Sequence, residues 1–315
     1  MHLDHGRSHH HDASGHAHHH HHPAPTGFGP AFAIGAGLNT ILVLAQVGVG
    51  VAAGSMALVA DAAHNFGDVL GLLLAWLAAI LGRRQPSAAR SYGWGRVSIL
   101  AALANAMVLL IGSGAIAVEA VQRLLAPGAV ATGPVMIVAA AGIIINGVTA
   151  WLFSRGHEDI NIRAAFLHMA ADAALSAGVL VGALLIRLTG WLWLDPVISL
   201  VIIVVIVRGS WGILLEALHL ATDGVPLLVM PAEVRSFLAG LAGVREVHDL
   251  HIWALSTTEV ALTAHLVRDE GVDDQAVIRA ACEGLRVRFR IGHATVQVES
   301  EDLAELCRLR PEEVV

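Results

Sequence analysis

A 315-residue chain with 56% hydrophobic side chains, 14% charged side chains and a mean hydropathy of +0.66 is not composed like a water-soluble globular protein. Its formal net charge is −7 with His neutral, and no basic stripe runs along it, which excludes nucleic acid as a partner. No GxxxxGK(S/T) phosphate loop is present, so nucleotide hydrolysis is not the energy source read from this sequence.

Residues 1–27 are a low-complexity tail holding eleven of the 19 histidines, with Pro23 and Pro25 closing it. Such a composition cannot build a core and predicts a disordered segment. It reads either as a native metal-gathering tail or, for His18–His22, as an expression tag. The irregular spacing of His2, His5, His9, His10, His11 and His16 favours the native tail. Nothing here resembles a secretory signal.

Residues 28–222 carry six apolar runs, at about 31–53, 57–82, 97–125, 134–154, 162–189 and 193–218. Each approaches the roughly 20 apolar residues needed to span a bilayer. The stretch 83–96 carries Arg83, Arg84, Arg90 and Arg96, and the stretch 155–163 carries Arg155 and Arg163. The stretches 53–56 and 126–133 carry no charge. The positive-inside rule therefore places the second and fourth loops, and both chain ends, in the cytoplasm.

Residues 223–315 are a separate unit, opened by Asp223-Gly224-Val225-Pro226. Pro231–Leu241 reads as a helix, Val244–Ala254 and Glu259–Val267 as strands, Asp273–Phe289 as a helix and Ala294–Glu299 as a strand. The order αββαβ predicts a small α+β domain with its helices on one face of a sheet. Cys282 and Cys307 form no CxxC motif and read as ordinary thiols.

Chemistry concentrates in two of the apolar runs. His64 and Asp68 lie four residues apart in the second, and His168 and Asp172 lie four apart in the fifth. On a helix such pairs share one face. Two facing helices would then bring two imidazoles and two carboxylates to one point, a set suited to tetrahedral Zn²⁺. An all-oxygen cage would suit Mg²⁺ or Ca²⁺ instead, while Co²⁺, Cd²⁺ and Ni²⁺ stay open. Ionisable groups inside a membrane are costly and mark ion pathways. The bland alternative is four groups that only hydrogen-bond between helices, and two matched pairs in separate spans weigh against it. Metal binding needs neutral His and ionised Asp, so protons and metal compete for the same side chains. Asp61, one turn before His64, reads equally as a second-sphere partner or proton relay and as a polar lining residue. Asn39, Gln46, Asn105 and Asn146 read as interhelical hydrogen-bonding groups.

Several stretches resemble the cation diffusion facilitator family, most closely its bacterial zinc/cobalt/cadmium-resistance type. Ser55-Met56-Ala57-Leu58-Val59-Ala60-Asp61-Ala62-Ala63-His64-Asn65 with Asp68 is similar to that family's second transmembrane helix. Asn161 through His168, with Asp172 and Ser176, is similar to the fifth. Tyr92-Gly93 with Arg96, Ile99 through Leu103 and Asn105 resembles the start of the third, and Val247 through Trp253 resembles the first strand of the cytoplasmic domain.

The resemblance implies a homodimer of six-helix protomers in the inner (plasma) membrane, each with a metallochaperone-like cytoplasmic domain. It implies export of divalent metal, Zn²⁺ first, in exchange for protons, with His64, Asp68, His168 and Asp172 as the transport site. In the family, a His at the first of these positions goes with zinc preference. His248, His265 and Glu299 match positions where relatives bind regulatory zinc, while Gln297 stands where some relatives have His. Gly95 and Ser98 replace the His and Glu of a further zinc site in the second loop, which is not carried over. His251, three residues after His248, would face the opposite side of a regular strand. Two rival functions are a membrane metalloenzyme, against which the chain has no HExxH and a closed four-ligand set, and a metal sensor or store, which needs no ligands in membrane spans.

Overall fold

The structure, a computed structural model, describes residues 30–153 and 160–310, with side chains over 37–151 and 166–310. The His-rich tail, Arg155 and the Arg163 side chain lie outside the described residues. Six long helices come first: α1 (Pro30–Ala53), α2 (Met56–Gly82), α3 (Val97–Leu125), α4 (Thr132–Phe153), α5 (Ile160–Thr189) and α6 (Leu194–Ala221). Over the described residues, α2 to α6 are each long and apolar enough to cross a bilayer, and Gly37–Ala53 of α1 is a shorter apolar helix. Ile111 and Ile137 are 70% and 73% exposed. Such faces suit lipid, and in water each would forfeit the hydrophobic gain of burial.

α2 is the hub of the bundle and packs against α1, α3, α5 and α6. Its small residues let neighbours approach: a Cβ at Gly67 would fall 2.4 Å from Leu109 on α3. Ala57, Leu58 and Ala60 join Val135 and Ala139 of α4, Val179 and Ala183 of α5, and Ile202, Ile203 and Ile206 of α6 in one buried core.

The C-terminal domain contains α7 (Pro231–Ala239), β1 (Val244–Ala254), β2 (Val260–Arg268), α8 (Asp274–Phe289), β3 (His293–Glu299) and α9 (Glu301–Leu306). β1 pairs antiparallel with β2, and β2 pairs parallel with β3. Leu262, Ala264 and Leu266 of β2 pack with Val234 and Leu238 of α7 and Val277, Ala281 and Leu285 of α8. The alternate residues of β2, including His265, point to the other face. There α9 packs against β2.

This domain sits at the end of the bundle that carries the α2–α3 loop. Thr257 N–H donates to Ser98 Oγ at 3.0 Å, Arg96 pairs with Asp223, and Tyr92 meets His293 edge to face. Ile99, Leu220 and Ala254 form a small buried cluster across the junction. A Cβ at Gly95 would lie 2.7 Å from the Leu255 carbonyl oxygen, so the loop has no room for a larger residue at this position.

Two features depart from the expected pattern. The short polar helix α9 was not read from the sequence. The β1–β2 register shifts between His248 and His251, which pair with His265 and Thr263. Asp249 takes a left-handed φ of 48° at this bulge. The extra residue resets the alternation, so His251 lies against the same face of β2 as His248 rather than the opposite one.

Candidate metal centres

The start of α2 is fixed by tertiary contacts. Ser55 caps the helix, its Oγ accepting from Leu58 N–H at 3.2 Å. The same hydroxyl donates to Asp195 Oδ1 of α6 at 2.6 Å, and Asp195 Oδ2 accepts from Met56 N–H at 2.6 Å. Asp195 is 3% exposed and satisfies donors that the helix start leaves open. Arg123 of α3 donates to the Gly54 carbonyl at 2.6 Å. Gly54 has φ 70°, and a Cβ there would fall 2.9 Å from the Ala129 carbonyl oxygen, so only glycine suits the turn. These contacts set the depth and rotation at which α2 presents its next two turns.

One such turn carries His64 and Asp68. α5 presents His168 and Asp172 towards them, and each imidazole meets the carboxylate of the other helix. His64 Nε2 lies 2.9 Å from Asp172 Oδ1, and His168 Nε2 lies 3.4 Å from Asp68 Oδ1. His168 Nε2 is also 3.7 Å from Asp172 Oδ2. A tetrahedral metal with bonds of about 2.0–2.3 Å has ligand–ligand edges of about 3.3–3.8 Å. One donor atom each from His64, Asp68 and Asp172 falls within 4.8 Å of the others, and His168 flanks this group. The Asp172 side chain is 2% exposed, His64 19%, His168 32% and Asp68 36%, so one end of the cluster is closed and the other open.

Behind it lies a buried polar network. Asp61 Oδ2 accepts from Gln46 Nε2 of α1 at 2.7 Å and from Ser176 Oγ of α5 at 2.9 Å. Gln46 Oε1 accepts from Asn65 Nδ2 at 3.0 Å. Asp61 is fully buried. Its hydrogen bonds tie α1, α2 and α5 together one turn from His64. A Cβ on Gly142 of α4 would lie 2.8 Å from Ser176 Oγ, so α4 closes over this network.

A second cluster occupies the sheet face of the C-terminal domain away from α7 and α8. His248 and His265 are cross-strand partners, and Gln297 and Glu299 follow on β3. His248 Nε2 is 3.3 Å from Glu299 Oε2, and His265 Nδ1 is 3.1 Å from Glu299 Oε1. Gln297 Nε2 donates to Glu299 Oε1 at 2.6 Å, so it orients the carboxylate and stands outside the cluster. Asp249 Oδ1 is 2.7 Å from His251 Nε2 and Asp249 Oδ2 is 3.5 Å from His265 Nε2, so His251 is a partner of Asp249. His248 and Glu299 are each 2% exposed, yet both His248 ring nitrogens and Glu299 Oε2 make no hydrogen bond. Their nearest polar neighbours are held at ion-pair separation, 3.3 Å between His248 Nε2 and Glu299 Oε2 and 3.6 Å between His248 Nδ1 and Glu246 Oε1; a buried polar atom without a hydrogen bond costs up to about 1–3 kcal/mol, which a bound cation would offset. The residues therefore fit a metal. Cys307, just beyond α9, joins His248, His265 and Glu299, with one donor atom from each within 4.8 Å of the rest.

Sequence reasoning missed Cys307 and Asp195. Cys307 depends on the six-residue α9 folding back over the sheet. Asp195 acts on a helix start 139 residues away.

Residues 33–220 match the family profile of the cation efflux transmembrane domain, and residues 230–301 match that of the cation efflux protein cytoplasmic domain. The chain is 36% identical over 247 residues to the metal cation efflux system protein CzcD of Cupriavidus metallidurans, covering 78% of each chain. It is 33% identical over 250 residues to the zinc transporter ZitB of Escherichia coli, covering 78% of this chain and 80% of that one. It is 30% identical over 271 residues to the cadmium, cobalt and zinc/H(+)-K(+) antiporter of Bacillus subtilis, covering 82% of this chain and 86% of that one. With both of its folded parts matched in order, the chain belongs to the cation efflux family, as a membrane transporter of metal cations and not an enzyme.

Proposed function

We propose that this transporter exports Zn²⁺ from the cytoplasm in exchange for protons, through His64, Asp68, His168 and Asp172. The observation that carries this reading is the cross-pairing of the two helices, with His64 Nε2 2.9 Å from Asp172 and His168 Nε2 3.4 Å from Asp68. Two imidazoles and two carboxylates match the preference of Zn²⁺, and also admit Co²⁺, Cd²⁺ and Ni²⁺. The names of the relatives, a zinc transporter and a cadmium, cobalt and zinc antiporter, support Zn²⁺, Cd²⁺ and Co²⁺ within that range.

Proton coupling follows from the ligands. Metal binds to neutral imidazole and ionised carboxylate, so loading from the cytoplasm releases protons and protonation from the far side releases the metal. A 2% exposed Asp172 beside a 36% exposed Asp68 offers a held end and an open end for such an exchange. In this reading the protein lies in the inner membrane with both termini cytoplasmic, and the C-terminal domain joins two protomers. His248, His265 and Glu299 form a regulatory metal site there.

The test is ⁶⁵Zn²⁺ uptake into inside-out membrane vesicles with and without an imposed pH gradient. Uptake that needs the gradient and vanishes in Asp172→Ala is expected. Gradient-independent accumulation, or full uptake by Asp172→Ala, would overturn the proposal.

A further inference from the structure

We propose that Cys307 supplies a thiolate ligand to the C-terminal site, closing a four-ligand set of His248, His265, Glu299 and Cys307 within one protomer. This rests on reading the two histidines and Glu299 as a metal site, and deepens it by naming the fourth ligand and the metal class. Three distances carry the geometry. His248 Nε2 to Glu299 Oε2 is 3.3 Å, His265 Nδ1 to Glu299 Oε1 is 3.1 Å, and Cys307 Sγ to His265 Nδ1 is 3.7 Å. These approximate the ligand–ligand edges of a tetrahedral ion, about 3.3 Å between N/O donors and longer to sulfur.

The hydrogen bonding of the same residues also points to a ligand. His248 is 98% buried, being 2% exposed, and neither ring nitrogen has a hydrogen bond. Glu299 Oε2 is buried beside it in the same condition. Cys307 is held over this pair by its surroundings. Arg310 donates to Glu246 Oε2 of β1 at 2.7 Å and to Glu301 Oε1 of α9 at 2.9 Å, which ties the two ends of the segment bearing Cys307 together and its far end to β1. Binding displaces the thiol proton to solvent and forms one metal–sulfur bond. A thiolate in the set favours soft or borderline divalent cations such as Cd²⁺ and Zn²⁺ over hard ones such as Mg²⁺.

The experiment is Cd²⁺ titration of the full-length protein in detergent, following the ultraviolet thiolate-to-cadmium charge-transfer band. Only Cys282 and Cys307 can give that band, so the tail and the transmembrane cluster are silent in it. The band is expected to saturate at one Cd²⁺ per chain, to persist in Cys282→Ser and to vanish in Cys307→Ser. Loss of this ligand is expected to weaken binding at the site at least about tenfold. Cys307→His is expected to restore affinity without the band. No band in the wild type, or a band surviving in Cys307→Ser, overturns the proposal. Equilibrium dialysis separates the two readings. If Cys307→Ser binds as tightly as wild type while His248→Ala loses one metal per chain, the site stands and the thiolate ligand falls. If His248→Ala keeps the wild-type stoichiometry, both fall.

Discussion

The two clusters use the same side-chain types and differ in closure. In the membrane, exposure of the four residues runs from 2% to 36%, and both imidazoles already face carboxylates of the opposite helix. In the C-terminal domain, the side chains of His248, His265 and Glu299 are 2%, 15% and 1% exposed, and both imidazoles share one carboxylate, Glu299, at 3.3 and 3.1 Å. A site that passes its ion on needs an open side. A site that keeps its ion can be closed. The contrast also lies in what holds each cluster. The first is split between two long helices, so a small relative movement of α2 and α5 changes its geometry. The second sits on adjacent strands of one sheet, where ladder hydrogen bonds fix the spacing.

The largest effect should come from breaking the membrane cluster. Asp68→Ala and Asp172→Ala are expected to lower metal transport at least about 100-fold, the upper end of what even an outer-sphere loss costs. Uptake rates in reconstituted vesicles measure this.

Next is the network behind the cluster. Asp61→Leu removes the acceptor for Gln46 and Ser176, and each buried group left unpaired costs about 1–3 kcal/mol. Asp61→Asn keeps an oxygen there and should retain most of that stability. Thermal unfolding in detergent compares the two.

His248→Ala should cost one bound metal per chain while reducing transport by only about five- to tenfold, a modest coupling between distinct sites. A loss of transport as deep as that of Asp172→Ala would erase the distinction between the clusters. The smallest effect is at the helix start. Asp195→Ala should lower stability by about 0.5–2 kcal/mol, the range for a lost helix cap, with metal stoichiometry unchanged. Denaturation together with dialysis checks both halves.

The membrane helices were legible because a bilayer imposes length and apolarity on each span. The two HxxxD pairs were legible because helical spacing alone puts their members on one face. Where each pair would find its partners was less visible. The sequence suggested a ring of four ligands, and the structure adds that each His meets the Asp of the other helix. Ser55 as a cap could be read from its place before an apolar run. Asp195 could not, because its partners lie on another helix. In the C-terminal domain, strand alternation failed at Asp249, whose left-handed backbone inserts an extra residue and realigns His251. Cys307 lies beyond the last strand on a segment too short and polar for a periodic signal, and only its fold back over β2 brings it to the histidines.

The most direct test is to record Zn²⁺ entry and lumenal pH together in proteoliposomes, using one trapped dye for each, for wild type and Asp172→Ala. The wild type is expected to take up Zn²⁺ as protons leave the lumen, and Asp172→Ala to show neither movement. Zn²⁺ entry with no proton movement, or coupled exchange persisting in Asp172→Ala, would contradict the assignment of the α2–α5 cluster as the exchange site.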